Sequence, residues 1–176
     1  MILRRLGPAD AVAFKELRRD AVQDSPHSFY PNVDEVNDTP IEEFGAQLQQ
    51  SEYSYVFGTF EENELISMIG LRRDARAKVR HKANIWGVYT RAEHRGQGIA
   101  RRMMETALET ARSIPGIALV TLGVHTENAA AKALYRSFGF DTFGVERNSM
   151  YVNGHYAHEE HMMRSEERRV GKECRL

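Results

Sequence analysis

Apolar and polar positions change period several times along this chain, and each change marks an element. Residues 2–6 suit an opening strand. Val12, Ala13, Leu17 and Val22 then share related faces of a helix, with Asp10 as its N-cap and Ser25-Pro26 as its stop. Residues 25–40 hold three prolines among polar side chains, which predicts a long loop. Thr39-Pro40-Ile41-Glu42-Glu43 opens a short helix to about Gln50, with proline in the first turn and acids at the positive end. Residues 53–60 alternate aromatic and small side chains, Glu61-Glu62-Asn63 turns, and 65–71 return as a hairpin. Residues 72–82 form a polar connector.

The second half has longer periods. Residues 83–89 are an apolar run of strand length, followed by Arg95-Gly96-Gln97-Gly98. Ile99, Ala100, Met103, Met104, Ala107, Leu108 and Ala111 then repeat at helical spacing over 99–112, and Pro115-Gly116 ends that helix. Residues 117–124 read as a strand, so a crossover helix joins two parallel strands. A second helix over 128–138 ends at Gly139, and strands over 140–147 and 156–163 close a hairpin across Asn153-Gly154. The order predicts a mixed α/β sandwich: antiparallel strands first, one parallel crossover in the middle, a hairpin last. It is not the order of a doubly wound sheet.

Composition narrows the class. With 176 residues, 41% of them hydrophobic, one domain with a real core is expected. A net charge of −1 gives no bias towards nucleic acid or an anionic membrane. No apolar run approaches the roughly 20 residues of a membrane span, and residues 1–10 lack a signal-peptide core, so a cytoplasmic location is expected. The single cysteine, Cys174, excludes intrachain disulfides. Residues 1–164 are read as the domain and 165–176, which lack any period, as a disordered or non-native tail.

The glycine turn carries the first chemistry. Two glycines between a strand and a helix let backbone N–H groups converge at a helix start, where the dipole adds about half a positive charge. That is an anion site suited to a diphosphate. Ile99-Ala100 stands where a triphosphate loop needs Lys-Ser/Thr, and Arg101 occupies the third glycine position of a dinucleotide fingerprint.

Arg95-Gly96-Gln97-Gly98-Ile99-Ala100 resembles the R/Q-x-x-G-x-G/A signature of the GNAT acetyltransferase superfamily. Asn128 followed by Ala131-Lys-Ala-Leu-Tyr135 and Gly139-Phe140 resembles that family's second motif. The resemblance implies a mostly antiparallel mixed sheet whose central parallel strands splay, with acetyl-CoA as co-substrate and no metal. It implies that the backbone of Val88, Tyr89 and Thr90 meets the pantetheine arm. The turn of Arg95, Gly96, Gln97, Gly98, Ile99, Ala100 and Arg101 would meet the pyrophosphate, and Asn128 the cofactor arm as well as capping its helix. Tyr135 matches the family's general acid. The family's carboxylate is missing near the first splayed strand, where His81 stands as candidate base; Glu52 and His125, acting through water, are the others. Phe29 and Tyr30, in the long loop, are candidate acceptor contacts.

The implied activity is N-acetylation of a small-molecule or protein amine by direct attack in a ternary complex, with a homodimer left open. The alternative is a non-catalytic acyl-CoA-binding or sensor module. His155, His158 and His161 with Glu159 and Glu160 suggest a metal at first sight, but strand alternation is expected to scatter them. The basic run from Arg72 to Lys82 reads as a solvated connector, without nucleic acid as partner.

Overall fold

The computed structural model describes residues 1–166. Its elements run β1 (Ile2–Arg5), α1 (Ala11–Asp24), α2 (Val33–Asp38), α3 (Ile41–Gln47), β2 (Ser54–Glu61), β3 (Glu64–Arg73), β4 (Lys82–Thr90), α4 (Ile99–Ser113), β5 (Leu119–His125), α5 (Ala129–Ser137), β6 (Asp141–Val152) and β7 (His155–Ser165). The seven strands form one sheet in the order β1-β2-β3-β4-β5-β7-β6. Every neighbouring pair is antiparallel except β4 with β5. This is the mixed sheet with one central parallel pair that the element order predicts.

Two apolar cores pack on the sheet. One joins the inward stripe of α4 (Ile99, Met103, Met104, Ala107, Leu108, Ala111) to Ile69, Leu71, Ile85, Val120 and Leu122. The other joins Phe14, Leu17 and Ala21 of α1 to Val36, Phe44, Leu65 and Met68. Fully burying each large side chain contributes about 1.5–3 kcal/mol, so α4 is held chiefly by this stripe.

Several local expectations are corrected. Asp10 does not cap α1 with its side chain; its carboxylate instead accepts from Arg4 at 2.7 and 2.8 Å and from the Gly7 N–H at 2.9 Å. The segment 25–40 is not all loop: α2 lies inside it. Asn32 accepts from the Glu35 N–H at 2.9 Å while Glu35 accepts from the Asn32 N–H at 2.7 Å, a reciprocal capping box. The connector after β3 is not wholly solvated, because Arg73 is buried and donates to the carbonyls of Arg80 (2.7 Å) and Pro115 (3.0 Å). The strand after α4 begins at Leu119 rather than 117. β7 runs through Ser165, and Glu166 pairs with Arg112 at 3.1 Å and Arg164 at 2.6 Å. The expected tail from 167 on, Cys174 included, lies outside the described residues.

No helix among the described residues is long and apolar enough to cross a membrane.

Candidate active site

The site begins where the central ladder stops. β4 and β5 pair only at Lys82↔Leu119, Ala83↔Val120 and Asn84↔Thr121. Asn84 reinforces the last rung by donating to the Thr121 carbonyl at 3.2 Å. Beyond it the strands part, and a cleft of about 520 Å³ opens between residues 85–90 of β4 and 122–125 of β5. A bulge helps to turn β4 outward: Gly87, at φ 63°, and Val88 have no Cα partner on β3.

One half of the cleft is built from main chain. Gly98 holds φ 77°, which a side chain would strain, and caps α4 without any side-chain hydrogen bond. Arg102 N–H to the Gly98 carbonyl, at 3.1 Å, is the first bond of the helix. The amides of Ile99, Ala100 and Arg101 therefore have no helical acceptor, and all three residues line the cleft. A Cβ added to Gly96 or Gly98 would meet nothing within 4 Å, so the approach to these amides is open. The arrangement suits a diphosphate.

Side-chain cations contribute less here than the motif suggests. Arg95 lines the cleft, yet its guanidinium is tied to Asp24 and donates to the Thr90 carbonyl at 3.0 Å. Arg101 donates to Ser137 at 3.1 Å and lies over the Phe138 ring. Gln97 is exposed and stands outside the cleft lining. Asn128 lines the cleft while its Oδ1 accepts from the Ala131 N–H at 3.1 Å, so the helix-capping role is filled.

Tyr135 projects from α5 into the same space. It is 5% exposed, packs edge-on against Phe140, and its hydroxyl makes no hydrogen bond among the described residues. Burial pushes its phenol well above the usual range, so it stays protonated at neutral pH.

The other half is built from side chains that arrive from distant segments. The turn after α1 brings in His27, Ser28, Phe29 and Tyr30, all lining the cleft. His27 stacks on His125, the last residue of β5, with ring centroids 5.2 Å apart. Burial, then the charge of His27, lowers the His125 pKa, so its imidazole is neutral near pH 7. The Tyr30 hydroxyl donates to Glu159 Oε2 at 2.6 Å. Glu159 crosses from β7 over Gly123 of β5, where a Cβ would stand only 2.0 Å from its Oε1. Trp86 fills the space over Gly70 in the same way.

Of the three candidate bases, only His125 lines the cleft. His81 is exposed at the closed end of the parallel pair, where its carbonyl accepts from Ala118 at 2.9 Å and Leu119 at 3.2 Å. The strands diverge away from it, which removes it from the site. Glu52 is exposed before β2 and also stands outside the lining.

Glu159 and Trp86 were missed as site residues. An isolated glycine in each facing strand was the available signal, since it marks close approach by another group. The predicted scatter of the terminal hairpin needs a partial correction. Glu159 and His161 are two apart and share a face with Glu146, their ligand-capable atoms lying within 4.8 Å of one another. Protein partners engage them: His161 meets Glu146 at 3.1 Å and Glu159 accepts from the Tyr30 hydroxyl.

The fold is that of an acetyltransferase. An acetyltransferase of the GNAT family from Streptococcus pneumoniae superposes with a TM-score of 0.84 at 21% identity, covering 93% of this chain and 98% of that one. The yncA protein of Salmonella typhimurium, solved with acetyl-CoA, superposes at 0.81 and 18% identity, covering 99% and 98%. The model of the acetyltransferase (GNAT) family matches residues 15–140, and the chain belongs to that family.

Among curated proteins, N-alpha-acetyltransferase RimI of Mycobacterium tuberculosis (strain ATCC 25618 / H37Rv) is 43% identical over 61 residues, 35% of this chain and 36% of that protein. Spermidine N(1)-acetyltransferase of Vibrio cholerae serotype O1 is 29% identical over 90 residues, 51% of this chain and 52% of that protein. The matches thus span between about a third and a half of these curated relatives.

Proposed function

We propose that the protein is an acetyl-CoA-dependent N-acetyltransferase that acts on a primary amine by direct attack in a ternary complex. The observation that carries this reading is the split of β4 from β5. One opening exposes both the uncapped start of α4 and the buried phenol of Tyr135. Both curated relatives are named as N-acetyltransferases, which supports an amine acceptor.

Bound acetyl-CoA supplies an activated thioester whose leaving group is a thiolate. In this reading the amides of Ile99, Ala100 and Arg101, free of helical acceptors, hold its diphosphate. Val88, Tyr89 and Thr90 border the cleft as the unpaired edge of β4, which suits an extended amide-bearing arm. The Val88 N–H, in the bulge, is our candidate donor to the acetyl oxygen as negative charge develops on it.

A free amine of pKa about 10.4 is only ~0.1% neutral near pH 7.4, a handicap of roughly 4 kcal/mol. His125 supports a remedy. Four residues past the last paired rung, it lines the same cleft as Val88 and holds a neutral imidazole. In the proposed step the amine nitrogen bonds to the acetyl carbon and the C–S bond breaks. The amine proton passes to His125, and the Tyr135 proton passes to the departing sulfur. Residues 1–166 contain no cysteine, so none of the described side chains is a thiol that could carry the acetyl group.

Free-thiol release from acetyl-CoA across a panel of amines and peptides tests the activity. Tyr135→Phe is expected to lower kcat at least about tenfold while CoA affinity stays within about twofold. An unchanged kcat removes Tyr135 from the chemistry. Acetyl-CoA binding without thiol release across the panel favours a sensor module.

A further inference from the structure

Arg18 is a cation without an anionic partner among the described residues. Its guanidinium lies 5.4 Å from the Phe29 ring centroid and 5.8 Å from that of Trp86, and Nη1 comes within 3.4 Å of the place a Gly87 side chain would take. Phe29, Trp86 and Gly87 line the cleft, and Arg18 stands directly behind them. The side chain makes no hydrogen bond or ion pair among the described residues.

The nearby acids of α1 are engaged elsewhere: Asp20 with Arg91 at 3.0 Å and Arg19 at 3.5 Å, and Asp24 with Arg95. Burial lowers the Arg18 pKa, and the half-buried guanidinium is only partly served by water. Such a charge is costly to keep unless something pairs with it. The opposite wall carries the Glu159 carboxylate over Gly123 and the neutral His125. The acceptor half therefore has a guanidinium at its border, behind Phe29, Trp86 and Gly87, and a carboxylate and an imidazole in its lining.

We infer that the acceptor is a small zwitterion, an amine that also bears a carboxylate as an amino acid does, with Arg18 holding the carboxylate and Glu159 with His125 the amine. The inference rests on the acetyl-transfer reading above and names its substrate class. A guanidinium matches a carboxylate in two parallel hydrogen bonds. A polyamine would add positive charge beside Arg18. A peptide N-terminus would place a neutral amide there and leave the guanidinium unpaired.

Matched pairs test this: phenylalanine against phenethylamine and methionine against 3-(methylthio)propylamine, with spermidine and an alanyl peptide alongside. Thiol release is expected to favour each amino acid by about tenfold or more in kcat/KM. Arg18→Met keeps the stem packed between Phe29 and Trp86; it should raise the amino acid KM at least about tenfold more than that of the matched amine. Arg18→Lys should recover part of the preference. Equal rates within pairs, a preference that survives Arg18→Met, or a KM shift confined to acetyl-CoA overturns the inference while leaving acetyl transfer intact. If no amine releases thiol, acetyl transfer itself fails, and binding decides the acceptor class. Amino acids should then raise the Tm of the CoA-loaded wild type, and Arg18→Met should abolish the rise; no rise overturns the inference.

Discussion

The two halves of the cleft are made of different material. The half at the start of α4 is main chain, held by glycines and a helix dipole within a short stretch of sequence. The half beneath the turn after α1 is side chain, assembled from segments far apart; Tyr30 and Glu159 are 129 residues distant in sequence and share one hydrogen bond. Backbone amides offer any diphosphate the same donors, whatever the neighbouring side chains are. Side chains drawn from separate loops vary one at a time. A common co-substrate and a private acceptor fit that division.

Breaking the main-chain half should have the largest effect. Gly98→Val places a β-branched residue at φ 77° and should lower kcat/KM for acetyl-CoA about 30-fold or more, measured by thiol release and by calorimetric CoA binding. Gln97→Ala, a side-chain change in the same turn, should stay within about twofold. Near-normal CoA affinity in Gly98→Val would refute the main-chain assignment.

The side-chain half should respond in the other parameter. Gly123→Val puts a Cβ 2.0 Å from Glu159 Oε1 and forces that carboxylate aside. The acceptor KM should rise about tenfold with CoA affinity nearly unchanged. Loss of CoA affinity instead would mean that the two halves are not separable.

The smallest effect is on pH. A His125 pKa below its ordinary value of 6.5 keeps the imidazole neutral above that pH and protonates it only on acidification. Corrected for the amine's own ionisation, kcat/KM should vary by less than about twofold above about pH 6.5. It should fall less than about fourfold between pH 7.5 and 6. His125→Gln should remove this limb; a steeper limb that survives the substitution assigns the base to another group. Tyr30 does not interfere, since its bond to Glu159 pushes the phenol up to about 12 and it stays protonated throughout.

The main-chain half was legible in the sequence because its determinants are local. Gly96, Gly98 and the apolar stripe from Ile99 to Ala111 lie within two turns and a helix, and Asn128 to Phe140 repeats that economy. The acceptor half was legible only in fragments. Phe29 and Tyr30 were picked out by loop length, and His125 only as one of three candidate bases. Their partners follow from which strands become neighbours. β7 inserts between β5 and β6, and that order alone carries Glu159 across Gly123. His81 was misplaced because nothing in its local pattern says which end of a parallel pair opens.

By itself the sequence determined most of the elements, the crossover that makes β4 and β5 parallel, and the glycine turn at the start of α4. Each follows from period, glycine placement and capping chemistry, which act over a few residues. The tertiary structure alone decided where the parallel ladder ends and what faces the opening. It also decided that Arg18 has no counter-ion among the described residues. Those outcomes depend on sheet order and on pairings between residues tens to more than a hundred positions apart, where no local pattern reaches.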